Sequence, residues 1–163
     1  MEPSKTLILD HAAIAIKLER IATEICEKHT HTEKVVFCGL NQRGYFLAGE
    51  IANRCKAILP ALQVVLVQCH AGNSVAFSPA GSFAGNHVVV VDDVINSGKT
   101  LMQVLQVIFN DGAATIETAF LAKREHRSFP VKADYVGVSL ATTLQEHVHF
   151  DNSNPAGLQV YLS

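Results

Sequence analysis

Val88–Thr100 reads VVVVDDVINSGKT. Four consecutive valines without polar alternation predict a strand covered on both faces, as in a parallel sheet. The stretch then turns into a helix with Leu101, Val104, Leu105, Ile108 and Phe109 on one face, closed by Gly112. Working outward, the unit recurs. Val64–Val67 is a similar apolar run upstream, and Ile116–Ala122 another downstream. Further back, Val35–Cys38 forms a strand that ends at Gly39, and a helix is predicted over Tyr45–Ala57 with Leu47, Ile51, Cys55 and Ile58 inward. A first helix starts at the N-cap Asp10 and runs to Lys28, with Ile14, Leu18, Ile21, Ala22 and Ile25 as its apolar stripe. Buried strands alternating with crossover helices define a doubly wound, mostly parallel α/β sheet. At 163 residues the chain suits one domain, 1–163. Beyond Phe129-Pro130 come shorter strand candidates, at Tyr135–Val138, His147–Phe150 and Leu158–Leu162. The last two alternate in polarity, as edge or antiparallel strands do, and complete the sheet or cap a site.

Ligands of open parallel sheets bind beyond the carboxyl ends of the strands. Asp92 and Asp93 stand where the valine strand emerges, and enclosed carboxylates require water, hydrogen-bond donors or a cation. Asn96-Ser97-Gly98-Lys99-Thr100 then leads into a helix N-terminus, whose amides, hydroxyls and dipole favour a phosphate. Two carboxylates repel phosphate, so they must address another part of the same molecule, and ribose 2′ and 3′ hydroxyls supply the donors. A ribose 5-phosphate meets both requirements. The bland alternative is that Asp92-Asp93 only caps a helix. A nucleotide P-loop needs glycine five positions before Gly98, where this chain has Asp93.

A hydrophobic strand, an Asp pair, two residues and a small polar-Gly-basic-Thr run resembles the phosphoribosyl pyrophosphate signature of type I phosphoribosyltransferases. The resemblance implies that Asp92 and Asp93 hold the ribose hydroxyls and that Asn96, Ser97, Gly98, Lys99 and Thr100 hold the 5-phosphate. Ile8-Leu9-Asp10, Arg20–Ala22, Glu24-Ile25, Gly39–Ala48 and Lys123–Gly137 are similar to the bifunctional pyrimidine-operon regulator/uracil phosphoribosyltransferase branch. In that family Leu40, Asn41, Gln42, Arg43 and Gly44 would be the pyrophosphate loop. Arg43 has the planar fork a diphosphate favours, and Gly39 and Gly44 let the backbone approach. The resemblance further implies Mg2+ at Asp92 or Asp93, directly or through water, and a base site near Lys123, Arg124, His126 and Val136. Arg43, Asp92 and Asp93 are the catalytic candidates, with phosphoribosyl pyrophosphate and a nucleobase or nucleoside monophosphate as ligands. Two functions compete: transfer of phosphoribose to uracil or another base, and nucleotide sensing by a regulator of pyrimidine genes that binds RNA.

The formal charge of −2 gives no general reason for nucleic-acid binding, although Lys123, Arg124, Arg127 and Lys132 form a local basic cluster. Cys26, Cys38, Cys55 and Cys69 lack CxxC spacing and read as buried free thiols, with Cys69-His70 a chance neighbour rather than a zinc site. His147 and His149 read as one exposed strand face. The only apolar run near the start, Leu7–Leu9, is too short for a signal segment, and no stretch reaches a membrane span, so a cytoplasmic location is expected. Residues 68–87 contain no Asp, Glu, Lys or Arg, where the family has a longer charged arm. With Gly72, Gly81 and Gly85 the segment reads as flexible, and reduced turnover is expected from the missing charge. The resemblance and the apolar Tyr45, Phe46, Ile58 and Leu59 predict a homodimer or larger assembly.

Overall fold

The computed structural model describes residues 5–163, so the first four residues of the expected 1–163 domain lie outside it. In chain order the elements are β1 (Thr6–Leu9), α1 (His11–Lys28), β2 (Lys34–Leu40), α2 (Asn41–Ile58), β3 (Gln63–Ala71) and β4 (Val75–Ser78). They continue with β5 (His87–Ile95), α3 (Lys99–Asn110), β6 (Thr115–Arg124), β7 (Tyr135–Leu140), β8 (Val148–Asp151) and β9 (Gln159–Leu162). A six-stranded sheet runs β4-β3-β2-β5-β6-β7, parallel throughout except for β4, which returns antiparallel on β3. A second sheet, β1-β9-β8, is antiparallel.

The valine strand sits near the middle, and its side chains divide between two cores. Val89 and Val91 pack with Ile14, Leu18, Ile21 and Ile25 of α1 and Leu47, Ile51 and Cys55 of α2. Val88 and Val90 face the other way, onto Leu101, Val104 and Ile108 of α3. Strict alternation on a strand apolar at every position is what puts helices on both faces. Helix α1 starts as read: the Asp10 carboxylate accepts the Ala13 N–H at 2.8 Å.

Several expectations are corrected. Helix α2 begins at Asn41 rather than Tyr45, so the five residues read as a loop are the strand end and the first helical turn. Ile58 is 37% exposed and Phe109 72% exposed, so neither points into a core. The uncharged segment 68–87 is not a free loop, because β3 extends to Ala71 and β4 pairs back along it. Beyond that hairpin, Phe83 is buried and meets Phe77 edge-on, with ring centroids 4.7 Å apart. The carboxyl-terminal strands divide: β7 joins the main sheet, whereas β8 and β9 pair with β1, a strand the sequence reading left out. Val148, Phe150 and Val160 of that small sheet, with Leu9, close the first core beside Val94. Phe46 of α2 lies against Phe150, ring centroids 6.4 Å apart. The four cysteines are buried and free, and Cys69-His70 lies on β3. His149 stacks on Tyr161 at 5.0 Å and meets the Ser163 hydroxyl at 2.8 Å.

At the amino edge of the main sheet, buried Glu117 of β6 joins His29 Nε2 at 2.7 Å, Lys28 Nζ, and the Tyr135 hydroxyl at 3.2 Å. Burial alone would raise the Glu117 carboxyl, but hydrogen bonds from Lys28 and His29 outweigh it and hold the group below its ordinary value. Among the described residues no helix is long and apolar enough to cross a membrane.

Candidate active site

Strand β5 does not end at the Asp pair but carries it, running on to Ile95. Strict alternation lapses across the pair, since Val91 and Val94 both pack in the first core and Ile95 in the second, and both carboxylates line one pocket. Each accepts the next backbone N–H: Asp93 N to Asp92 Oδ1 at 2.9 Å, and Val94 N to Asp93 Oδ1 at 2.8 Å. Burial, and secondly the neighbouring Asp93 carboxylate, push the Asp92 carboxyl well above its usual range. Asp93 is nearer a cation, with Arg43 Nη1 4.0 Å from its Oδ2.

Two helix starts converge on this edge. Helix α2 follows β2 without an intervening loop, and a Cβ on Gly44 would lie 2.6 Å from the Val91 carbonyl and 3.1 Å from Asp92 Oδ1. Only glycine lets the first turn of α2 rest on the end of β5. Asn41 takes a left-handed φ of 53°, uncommon outside glycine. Helix α3 starts at Gly98, also left-handed at φ 84°, where an added Cβ would meet Val131 Cγ2 at 2.6 Å. Neither helix has a side-chain N-cap or an acidic residue in its first turn, in contrast to α1 with Asp10. Their leading amides are left for an anion.

The Asn96–Thr100 loop is held by the β6–β7 connection. Ser97 O accepts the N–H groups of Ser128 and Phe129 at 3.0 and 3.1 Å, and Arg127 Nη1 donates to Val131 O at 2.8 Å within the same connection. A pocket of about 200 Å³ brings Asn41, Asp92 and Asp93 together with all five residues of Asn96–Thr100 and with Phe120. Leu40 is buried beneath it, while Gln42 and Arg43 are exposed at the α2 start beside it.

The base-side candidates are more dispersed. Lys123 and Arg124 end β6; Lys123 Nζ is 4.0 Å from Glu125 Oε1, and Arg124 donates to Thr142 Oγ1 at 2.9 Å and to the Thr143 carbonyl at 3.0 Å. His126 is exposed on the connection. Val136 lies on β7 in register with Phe120, and its carbonyl accepts from Arg20 of α1. None of these four lines the pocket.

Three features escaped the sequence reading. Phe129 and Val131 buttress Gly98, which no motif announces. Asn41 adopts its left-handed turn, for which asparagine in a Gly-flanked stretch was the available signal. Asp151 ends β8 and accepts the Ser153 N–H at 2.9 Å. Hydrogen bonds from Ser153 hold its carboxyl below the ordinary range, with smaller effects from Lys5 and Arg43. An acidic residue closing an alternating strand was the clue there.

A mostly parallel sheet with an acidic pair inside the carboxyl end of a central strand, and a glycine-bounded helix start beside it, is the arrangement expected of the phosphoribosyltransferase class. The sequence matches the phosphoribosyl transferase domain over residues 4–152, and the chain belongs to that family. It is 34% identical to the bifunctional protein PyrR of Citrifermentans bemidjiense, over 91% of this chain and 93% of that protein. A PyrR of Streptomyces coelicolor is also 34% identical, over 86% and 80%. Among solved structures, the fold is similar to hypoxanthine phosphoribosyltransferase of Trypanosoma cruzi, with a TM-score of 0.79 at 16% identity over 95% of both chains. A hypoxanthine-guanine phosphoribosyltransferase of Bacillus anthracis gives 0.73 at 22% identity, over 86% and 85%.

Proposed function

We propose that this protein, acting as one domain over 1–163, binds phosphoribosyl pyrophosphate and transfers its phosphoribosyl group to a nucleobase, with uracil the first candidate. The observation that carries the reading is the shared pocket, with the Asp92-Asp93 carboxylates on one side and the uncapped start of α3 on the other. The carboxylates accept hydrogen bonds from the ribose 2′ and 3′ hydroxyls. Amides and hydroxyls of Asn96–Thr100 take the 5-phosphate, and Gly98 lets the backbone close on it.

In the reaction a base nitrogen attacks ribose C1 and the bond from C1 to the diphosphate breaks, its electron pair leaving with the diphosphate and the proton of the attacking N–H passing to water. Arg43 and the first amides of α2 face that developing charge and stabilise it. A hard divalent cation suits the donor set, since two adjacent carboxylates offer oxygen ligands and one of them is disfavoured as a bare anion. Asp92 and Asp93 would hold Mg2+, directly or through water. When bound, Mg2+ neutralises diphosphate charge.

A second reading draws on the likeness to proteins called bifunctional: a nucleotide-sensing regulator of pyrimidine genes that binds RNA. Its basic surface is partly committed elsewhere, because Lys132 pairs with Asp134 at 3.3 Å and Arg124 and Arg127 bind backbone carbonyls. The transfer reading is therefore preferred. A homodimer fits the half-exposed Tyr45 and Ile58 of α2, and a cytoplasmic location fits the small-molecule chemistry. Titration calorimetry with phosphoribosyl pyrophosphate and Mg2+ tests the core of the proposal. Asp92→Asn with Asp93→Asn should abolish binding at an unchanged circular-dichroism spectrum, and unchanged affinity would refute the ribose assignment.

A further inference from the structure

The β3–β4 hairpin, which carries no charged side chain, is hydrogen-bonded to the turn that opens α2. Asn41 Oδ1 accepts the Ala71 N–H at 3.0 Å, and the Asn41 carbonyl accepts from Gln68 Nε2 at 3.2 Å. Asn41 is the only non-glycine residue with positive φ among those described, and it holds that conformation in the pocket wall. A left-handed asparagine persists where its surroundings over-determine it. Here the surroundings are the two bonds from β3.

Gln68 is well mounted for this task. Its backbone is in register with Gly39 of β2 on one side and Ser78 of β4 on the other, so it belongs to a ladder braced from both edges. Its side chain spans from that ladder to the turn. A donor is required, since the Asn41 carbonyl only accepts, and an acidic residue at 68 would repel it.

We infer that Gln68 is a positioning residue for the diphosphate half of the ligand: by holding the Asn41 carbonyl it fixes the first turn of α2, whose amides meet the diphosphate. The inference rests on the phosphoribosyl pyrophosphate reading and adds a specific asymmetry to it. Gln68 lies on the α2 side of the pocket, whereas the 5-phosphate cradle is built from α3 and the β6–β7 connection. Loss of the clamp should weaken ligands that carry diphosphate and spare those that do not.

The test compares wild type, Gln68→Met and Gln68→Glu by titration calorimetry with Mg2+, using phosphoribosyl pyrophosphate and ribose 5-phosphate as probes. Methionine keeps the bulk and removes the donor, while glutamate adds repulsion. Gln68→Met should weaken phosphoribosyl pyrophosphate about three- to tenfold, the range of one neutral hydrogen bond, and leave ribose 5-phosphate within about twofold. Gln68→Glu should lose more of the first affinity and again spare the second. Amide hydrogen exchange at Ala71, whose N–H the Asn41 side chain accepts, should quicken in both variants without ligand. Equal losses for the two probes, or no loss for either, would overturn the inference while leaving the ribose reading standing. A wild-type protein that binds neither probe would bring down both.

Discussion

Gly44→Ala isolates the contact on which the site's geometry depends. The new Cβ would lie 2.6 Å from the Val91 carbonyl oxygen, 3.1 Å from Asp92 Oδ1 and 3.2 Å from Asp92 Cα. Ordinary contact begins at 3.4 Å, so the helix start must retreat by about 0.8 Å along the tightest line. It cannot retreat freely, because Leu47, Ala48 and Ile51 of the following turns are buried in the first core. Overpacking of this kind costs about 1–3 kcal/mol. In a domain of this size that lowers Tm by roughly 3–10 °C. The same displacement separates the first amides of α2 from the carboxylates, and a misplacement near 1 Å costs on the order of a hundredfold. Differential scanning fluorimetry and calorimetric titration with phosphoribosyl pyrophosphate measure the two effects on one sample. A variant that melts within about 1 °C of wild type and binds within about twofold would refute the reasoning.

Three further outcomes are expected. Because burial and Asp93 raise the Asp92 carboxyl, native stability should decline as pH rises from about 3.9, the unfolded value, through the raised folded one. Asp92→Asn should therefore add about 1–2 kcal/mol in urea denaturation at neutral pH and little at pH 4; equal gains at both would contradict it. Glu117 has the opposite sign: its stabilisation is present above about 4.3 and lost as pH falls through its depressed folded value. Glu117→Gln should cost about 3 kcal/mol at pH 7, with the gap closing in acid, and overlapping denaturation curves at pH 7 would count against the buried network. Uracil turnover should fall below the ordinary enzyme range of about 1–10³ per second, because residues 68–87 bring no charge to the departing diphosphate; pyrophosphate release within that range would defeat this expectation.

The reach of the sequence can be judged from particular residues. Val88–Val91 announced a two-sided strand because continuous apolarity has one simple explanation in a sheet, and Asp10 announced α1 through its capping chemistry. Phe109 and Ile58 carried the same periodicity signal as their buried neighbours, but the amount of surface left over is decided by what packs opposite, which is not local information. Strand β1 depends on β9, more than 150 residues away, and Thr6–Leu9 alone is too short to declare itself. Leu40–Gly44 reads as a loop because Gly39, Asn41 and Gly44 have low helix propensity. Tertiary contact with β5 and β3 overrides that preference. Charged motif residues were thus legible, while the neutral parts that aim them, Gln68, Phe129 and Val131, were not.

The connection between β6 and β7 joins two tasks in one short span of chain. Its first residues border the region assigned to the base, and its later ones supply the N–H groups that hold Ser97 and the methyl that packs under Gly98. Variation here is consequently pleiotropic. On the ligand proposed above, an insertion that enlarged the base region would lengthen the strap beneath Ser97 and Gly98, so a change in nucleobase preference would arrive together with a change in affinity for the sugar phosphate.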